Sequence, residues 1–247
     1  MSVSKRVVYL SGPEDDYSSW EASMKFRLTY SGKLRATNRD ALPENDDPLS
    51  VHKHEIRLVF HDQLKQLWAT NTFLRDHKVP KSFSYIFHPV ADSGATWGPD
   101  PNTLVRMHDV MATWYPVRGF NFLPLVSEKF SLLCSLDILF LRRDIPGSAL
   151  SAGDIDNRIK TIIDALRPPK VPNEFVGKDR QPIIPGADQD PFYVLLEDDK
   201  QVSHFSVETD TLLDPIAEGE TDASNVKLII TVELRPLDVS LFNLSFA

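Results

Sequence analysis

Carboxylates crowd two short stretches of this 247-residue chain: Asp154-Ile155-Asp156-Asn157-Arg158-Ile159-Lys160, and Glu197-Asp198-Asp199-Lys200-Gln201-Val202. Like charges a few ångströms apart repel unless a cation joins them. Asp and Glu oxygens are the hard ligands that Mg²⁺ prefers, and that ion keeps coordination positions open for phosphates. Lys160, four residues after Asp156, adds a positive charge beside the first group. Together these residue types point to metal-assisted chemistry on a phosphodiester.

The elements that must position them follow from periodicity. Ile155, Ile159, Ile162, Ile163 and Leu166 recur at helical spacing and predict an amphipathic helix. Asp154 falls at its start, where Asp caps well and the helix dipole tolerates negative charge. Asp156 and Lys160 share a polar face, with Asp164 one turn further on. The second acidic group follows Phe192-Tyr193-Val194-Leu195-Leu196, an apolar run of the kind that forms a buried strand. A helix start and a strand end can converge at one edge of a sheet. Alternation along that strand end would put Glu197 on the same side as Asp199. Taken singly, each motif has an ordinary reading: D-x-D as a solvated cap, Glu-Asp-Asp as a surface turn, Lys160 as the helix ion-pair partner of Asp156.

The spaced pattern as a whole, Asp-x-Asp-Asn-x-x-Lys on a helix with Asp three positions beyond the Lys, then Asp-Asp-x-x-Val, resembles the RusA family of Holliday-junction resolvases. The match covers roughly residues 130–210, and several spaced positions agree at once. The resemblance implies a homodimer that cuts four-way DNA junctions by paired nicks using Mg²⁺, with Mn²⁺ as a substitute. Carried over by position, it makes Asp154, Asp156 and Asp199 the essential carboxylates and metal ligands, with Lys160 as the lysine of the catalytic site. Glu197 and Asp198 are adjacent acids that could assist at the metal. Asn157, Asp164, Asp198 and Val202 match the motif without an assigned role, and Asn157, Arg142 and Arg143 are candidate DNA contacts. For the two arginines, at the end of the strand before the helix, solvated strand-end charge is an equal reading. A non-catalytic nucleic-acid- or protein-binding module that keeps the fold is the alternative to a nuclease.

The expected fold is α/β (α+β): a mixed β-sheet with helices packed on it, a RusA-like core at about 130–235, an N-terminal elaboration and a long Pro-rich insertion at 167–191. Residues 1–22 read as an appended arm and 23–247 as one elaborated domain. Strands are expected near Met24–Tyr30, Phe83–Phe87, Phe120–Val126, Phe130–Arg142, 192–197, 201–208 and 226–235, and a helix over His54–Thr70. The glycine- and proline-marked Pro89–Pro101 reads as a loop.

Charge and composition bound the possibilities. The net charge of −8 is unlike the basic footprint of most DNA-binding proteins. Residues 188–222 hold eleven acids and one base, Lys200, a local charge of −10 that leaves +2 for the remainder. The acidity is therefore concentrated around and after the proposed metal site. The one cysteine, Cys134, excludes an intramolecular disulfide and reads as a buried thiol. No run approaches the ~18 apolar residues of a membrane span, and no signal-peptide pattern follows Lys5-Arg6. No membrane association and a cytoplasmic location are expected. His52, His54 and His61 are a rival metal set, but no cysteine pair or H-E-x-x-H completes a zinc site. The sequence also lacks the G-x-x-x-x-G-K-[ST] and G-x-S-x-G motifs. Finally, a two-fold-symmetric junction requires a C₂ homodimer, and the alternating segment Leu237–Phe246 is a candidate interface, with packing on its own chain equally open.

Overall fold

The structure, a computed structural model, describes residues 24–35, 48–80, 103–143, 154–214 and 225–239, with Asn243 and Phe246; the side chains of Pro80, Asp154 and Asp179 lie outside the described set. It is a mixed α+β fold, as the patterning predicts. The arm at 1–22, the strand expected at Phe83–Phe87 and the loop at Pro89–Pro101 lie outside the described residues.

The principal sheet has four strands in the order β1-β9-β6-β8. Its centre is β6 (Leu132–Arg142), whose Leu132, Cys134, Leu136, Ile138 and Phe140 alternate into the core. On one side β6 pairs antiparallel with β9 (Asn225–Pro236), which in turn pairs antiparallel with β1 (Lys25–Lys33). On the other it pairs parallel with β8 (Val202–Thr211). A parallel neighbour needs a crossover, and that crossover carries the acidic helix α4 (Asp154–Ala165) and the Pro-rich stretch. Both acidic segments are therefore parts of one connection between adjacent strands.

A second sheet, β4 (Tyr115–Val117), β5 (Phe120–Val126) and β7 (Phe192–Leu196), has β5 and β7 parallel. Arg118 and Gly119 both take positive φ, 48° and 86°, in the two-residue turn joining β4 to β5. Two consecutive left-handed residues give a hairpin the twist its strands require. Two short strands, β2 (Lys78–Pro80) and β3 (Leu104–Arg106), pair with each other. Two short helices, α2 (Thr72–Asp76) and α3 (Met107–Met111), also occur among the described residues.

Helix α1 runs from Leu49 to Thr70, starting five residues earlier than the stripe from His54 suggests. Pro48 sits immediately before it, where a fixed φ and a missing N–H cost a helix nothing. Ile56, Phe60, Leu64 and Trp68 are buried, whereas Val59 is 39% exposed. The helix is also buried on a polar side: Ser50, His52, Lys53, Arg57 and His61 are all covered. Hydropathy periodicity does not register such a face, which explains the late predicted start.

His52, His54 and His61 pack against the rest of the chain. His52 Nε2 accepts from the Arg35 N–H at 3.1 Å, and His61 Nδ1 from the Tyr193 N–H at 2.9 Å. Burial, reinforced by Arg35 and Lys33, pulls His52 down to about 4; burial with Arg57 and His61 does the same to His54. His52 and His61, each accepting from a backbone amide, are structural groups. Cys134 is fully buried and its thiol is pushed up to about 12 by that burial.

A groove between the acidic helix and the edge strand

Helix α4 lays Ile159, Ile162 and Ala165 into the core, and Leu166 follows them just beyond its end. The Thr161 hydroxyl, also buried, donates to the Arg35 carbonyl at 3.0 Å. The opposite side of the helix, with Asp156 and Lys160 exposed, opens toward β8. Between them lies a groove of about 570 Å³ lined by Ile155, Asp156, Ile159, Lys160, Ile163, Asp164, Asp199, Val202, Phe205 and Val207. Its floor is apolar and its polar lining is three carboxylates and one ammonium. The first acidic segment thus meets Asp199 of the second across one cleft.

Asp199 reaches the groove because β7 stops at Leu196. Asp198 then caps a single 3₁₀ turn, Asp199–Gln201: its carboxylate accepts from the Lys200 N–H at 3.1 Å, while Gln201 Oε1 accepts from the Asp198 N–H at 2.8 Å. The turn interrupts the extended alternation, so Glu197 and Asp199 part company. Glu197 Oε2 accepts from the Tyr115 hydroxyl and the Glu128 N–H, both at 2.9 Å, on the β4–β5 side. Its carboxylate ties the end of β7 to β4 and to the turn at Glu128–Phe130, and does not line the groove.

Lys170, from the Pro-rich stretch, places its ammonium 2.8 Å from Asp198 Oδ2 and 2.8 Å from Asp199 Oδ1. Partial burial would raise the Asp198 carboxyl, but contacts with Asp199, Lys170 and the Lys200 amide hold it well below the usual carboxylate range. No local sequence signal marks Lys170, since it meets these acids across 28 and 29 residues of mostly irregular chain. Asp164 has a different setting. It is buried between Lys53 Nζ at 2.6 Å and Arg167 Nη2 at 2.5 Å. Arg167 also meets Glu174 at 3.3 Å, and Arg57 donates to the Asp164 and Arg167 carbonyls, both at 3.0 Å. This network ties α1 to the end of α4 and to the start of the stretch that carries Lys170.

Of the remaining site candidates, Asp154 is the first residue of α4, its side chain outside the described residues. Asp156 and Lys160, one turn apart, make no ion pair with each other, unlike the helix pair their spacing allows. Asn157 is half-buried, its carbonyl shared with the Thr161 hydroxyl at 3.2 Å. Arg142 is only 2% exposed, because β6 alternation carries it to the same face as Phe140. It is thus not a solvated strand-end charge. Arg143 donates to the Asp214 carbonyl at 2.9 Å. Among the described residues no three His, Cys, Asp or Glu side chains are grouped to hold a metal ion, and no helix is long and apolar enough to cross a membrane. Compared with known proteins, the chain matches no family model, no curated protein and no solved structure.

A cation already sits at the strand-end acids, and that gives a direct test of whether the groove receives another. Lys170→Met is expected to tighten Mg²⁺ binding about fivefold, since a screened unit charge about 4 Å away contributes about 1 kcal/mol. Calorimetric Mg²⁺ titration of both proteins checks this. Equal affinities would place the ion-binding acids elsewhere.

Proposed function

We propose that this chain is a Mg²⁺-dependent, structure-specific endodeoxyribonuclease acting on branched DNA such as four-way junctions, a RusA-like phosphodiester hydrolase. The observation that carries the reading is the groove, in which Asp156 and Lys160 of the helix face Asp199 of the strand end across an apolar floor. Carboxylate oxygens from two elements are the ligand type a hard cation takes, and Asp154 stands at the head of the same helix. Asp156, Asp199 and Asp154 would hold Mg²⁺, which when bound supplies Lewis-acid polarisation of the phosphodiester. The chain's own residues do the rest. Asp156 and Asp199 would hold the cation between helix and strand, and Lys160 offers a positive charge where negative charge develops on the phosphoryl oxygens. The apolar floor excludes water from one side and strengthens these electrostatic interactions.

The alternative, a catalytically idle module of the same fold that binds nucleic acid or protein, is favoured by one observation: Lys170 already occupies Asp198 and Asp199 and offsets one of their two charges internally. A synthetic four-way junction separates the two. Mg²⁺-dependent nicking by the wild type, abolished in Asp156→Asn, is the expected result. Junction binding without cutting at any Mg²⁺ or Mn²⁺ concentration would leave the idle module standing.

A further inference from the structure

We propose that Phe205 forms a base-binding subsite in the groove. A nucleobase out of its stack lies on the ring, while the adjoining phosphate reaches Lys160 and the cation held by Asp156 and Asp199. This role rests on the nuclease reading for the identity of its ligand.

Six apolar residues line the groove: Ile155, Ile159, Ile163, Val202, Phe205 and Val207. Five of them belong to the main core or pack against it. Phe205 does not: it is 42% exposed, and among the described residues no other ring lies against it. The largest apolar side chain of the groove thus contributes little to the fold.

The backbone nonetheless aims it there. β6 pairs Cys134 with Val202 but Ser135 with His204, so Ser203 is one residue extra in β8. The Ser203 hydroxyl donates to the Cys134 carbonyl at 3.0 Å, which fixes the bulge. Strict alternation from Val202 would turn His204 and Ser206 to the groove. The bulge shifts the count by one, and Phe205 and Val207 take that face instead, beside Leu136 and Ile138. His204 and Ser206 go to the other face, where the Ser206 hydroxyl donates to Asp137 Oδ1 at 2.5 Å and His204 lies 3.8 Å from the same oxygen. A bulge sacrifices ladder pairing, and this one sets an aromatic ring in the same groove as Asp156, Lys160 and Asp199.

Chemistry selects the occupant. A ligand that uses the whole groove needs an apolar, polarisable face for the ring, and negative charge for Lys160 and a bound cation. An unpaired nucleotide has both, whereas an apolar peptide side chain lacks the charge. Every base has a π-face, so stacking on Phe205 imposes no sequence requirement. It does impose a structural one. In continuous duplex the neighbours cover both faces of a base, and unstacking it is least costly where pairing or stacking is already interrupted. A branch point supplies such bases.

Fluorescence anisotropy on the full chain tests the subsite, with Ca²⁺ replacing Mg²⁺ to hold cleavage off. The probes are a labelled oligothymidine and a labelled strand of equal length whose sugars carry no bases. The wild type is expected to bind oligothymidine about tenfold more tightly than the abasic strand, the effect of stacking one base on an aromatic side chain. Phe205→Trp should keep this preference. Phe205→Ala should lose it, binding both strands at the abasic level with an unchanged melting temperature. A wild type that binds neither strand or shows no preference, or a preference that survives Phe205→Ala, overturns the proposal. The two strands compared on wild type alone keep the test decisive whatever a variant does to the fold. A Phe205-dependent preference in a protein that nicks no junction would sink the nuclease reading alone; nicking without that preference would sink this one alone.

Discussion

Lys160→Met is expected to lower single-turnover cleavage of a four-way junction by about 10²–10³, the usual effect of removing one preorganised electrostatic donor, while leaving the melting temperature unchanged. Lys160 is exposed on α4, lines the groove and makes no ion pair with Asp156. Its charge therefore contributes little to the folded state and stands ready for a substrate. Negative charge on the phosphoryl oxygens grows toward the transition state, where a nearby ammonium matters most. Lys160→Arg keeps the cation and should recover part of the rate. Rate measurements with both variants, beside thermal melts, decide the matter. Cleavage at the wild-type rate in Lys160→Met would make this an ordinary surface lysine.

The elements that carry the candidate site were legible because their periodicities are strong. Ile155 to Leu166 repeats at helical spacing and forms α4; Leu132 to Phe140 and Val226 to Leu234 alternate and form β6 and β9. Phe120–Val126, also expected as a strand, forms β5. What stayed hidden depends on contacts between residues distant in sequence. The Lys170 contact with Asp198 and Asp199 spans a stretch with no periodicity at all. The buried polar side of α1 was missed because Lys53, Arg57 and His61 read as surface residues until Asp164, Arg167 and the Tyr193 amide are brought against them.

Glu197 was misplaced for a local reason. Period-2 alternation holds only while the chain stays extended, and Asp198 ends the extension by capping a turn. The same turn frees Asp199 to face α4. A capping residue between two acids thus divides a Glu-Asp-Asp run into a carboxylate that ties β7 to β4, a cap that also holds Lys170, and a groove acid. Composition could not make that division, because all three are equally acidic in sequence.

Asp164→Asn is expected to destabilise the fold by about 3–5 kcal/mol, the cost of leaving buried partners of a charge unmatched. Asp164 lies between the buried Lys53 and Arg167 ammonium and guanidinium groups, and Glu174 offsets only Arg167. At roughly 2–4 °C per kcal/mol for a chain near this size, the melting temperature should fall by about 10 °C. The pH dependence identifies the cause. Burial would raise the Asp164 carboxyl, but hydrogen bonds and charge from Lys53 and Arg167 outweigh it and hold the group below the usual carboxylate value. An Asp depressed in the folded state stabilises above its unfolded pKa of about 3.9 and loses that contribution as pH falls through the folded value. His52 and His54, held down to about 4, weaken the fold as pH falls from about 6.5, because the unfolded chain takes up protons first. That loss is common to wild type and variant and cancels in their difference. The difference in unfolding free energy should therefore be flat from pH 8 to 5 and shrink below about pH 4. A gap that persists undiminished in strong acid would assign the defect to packing and not to the buried charge. The same substitution should also loosen Lys170 from Asp199, since Arg167 and Glu174 anchor the stretch that carries it.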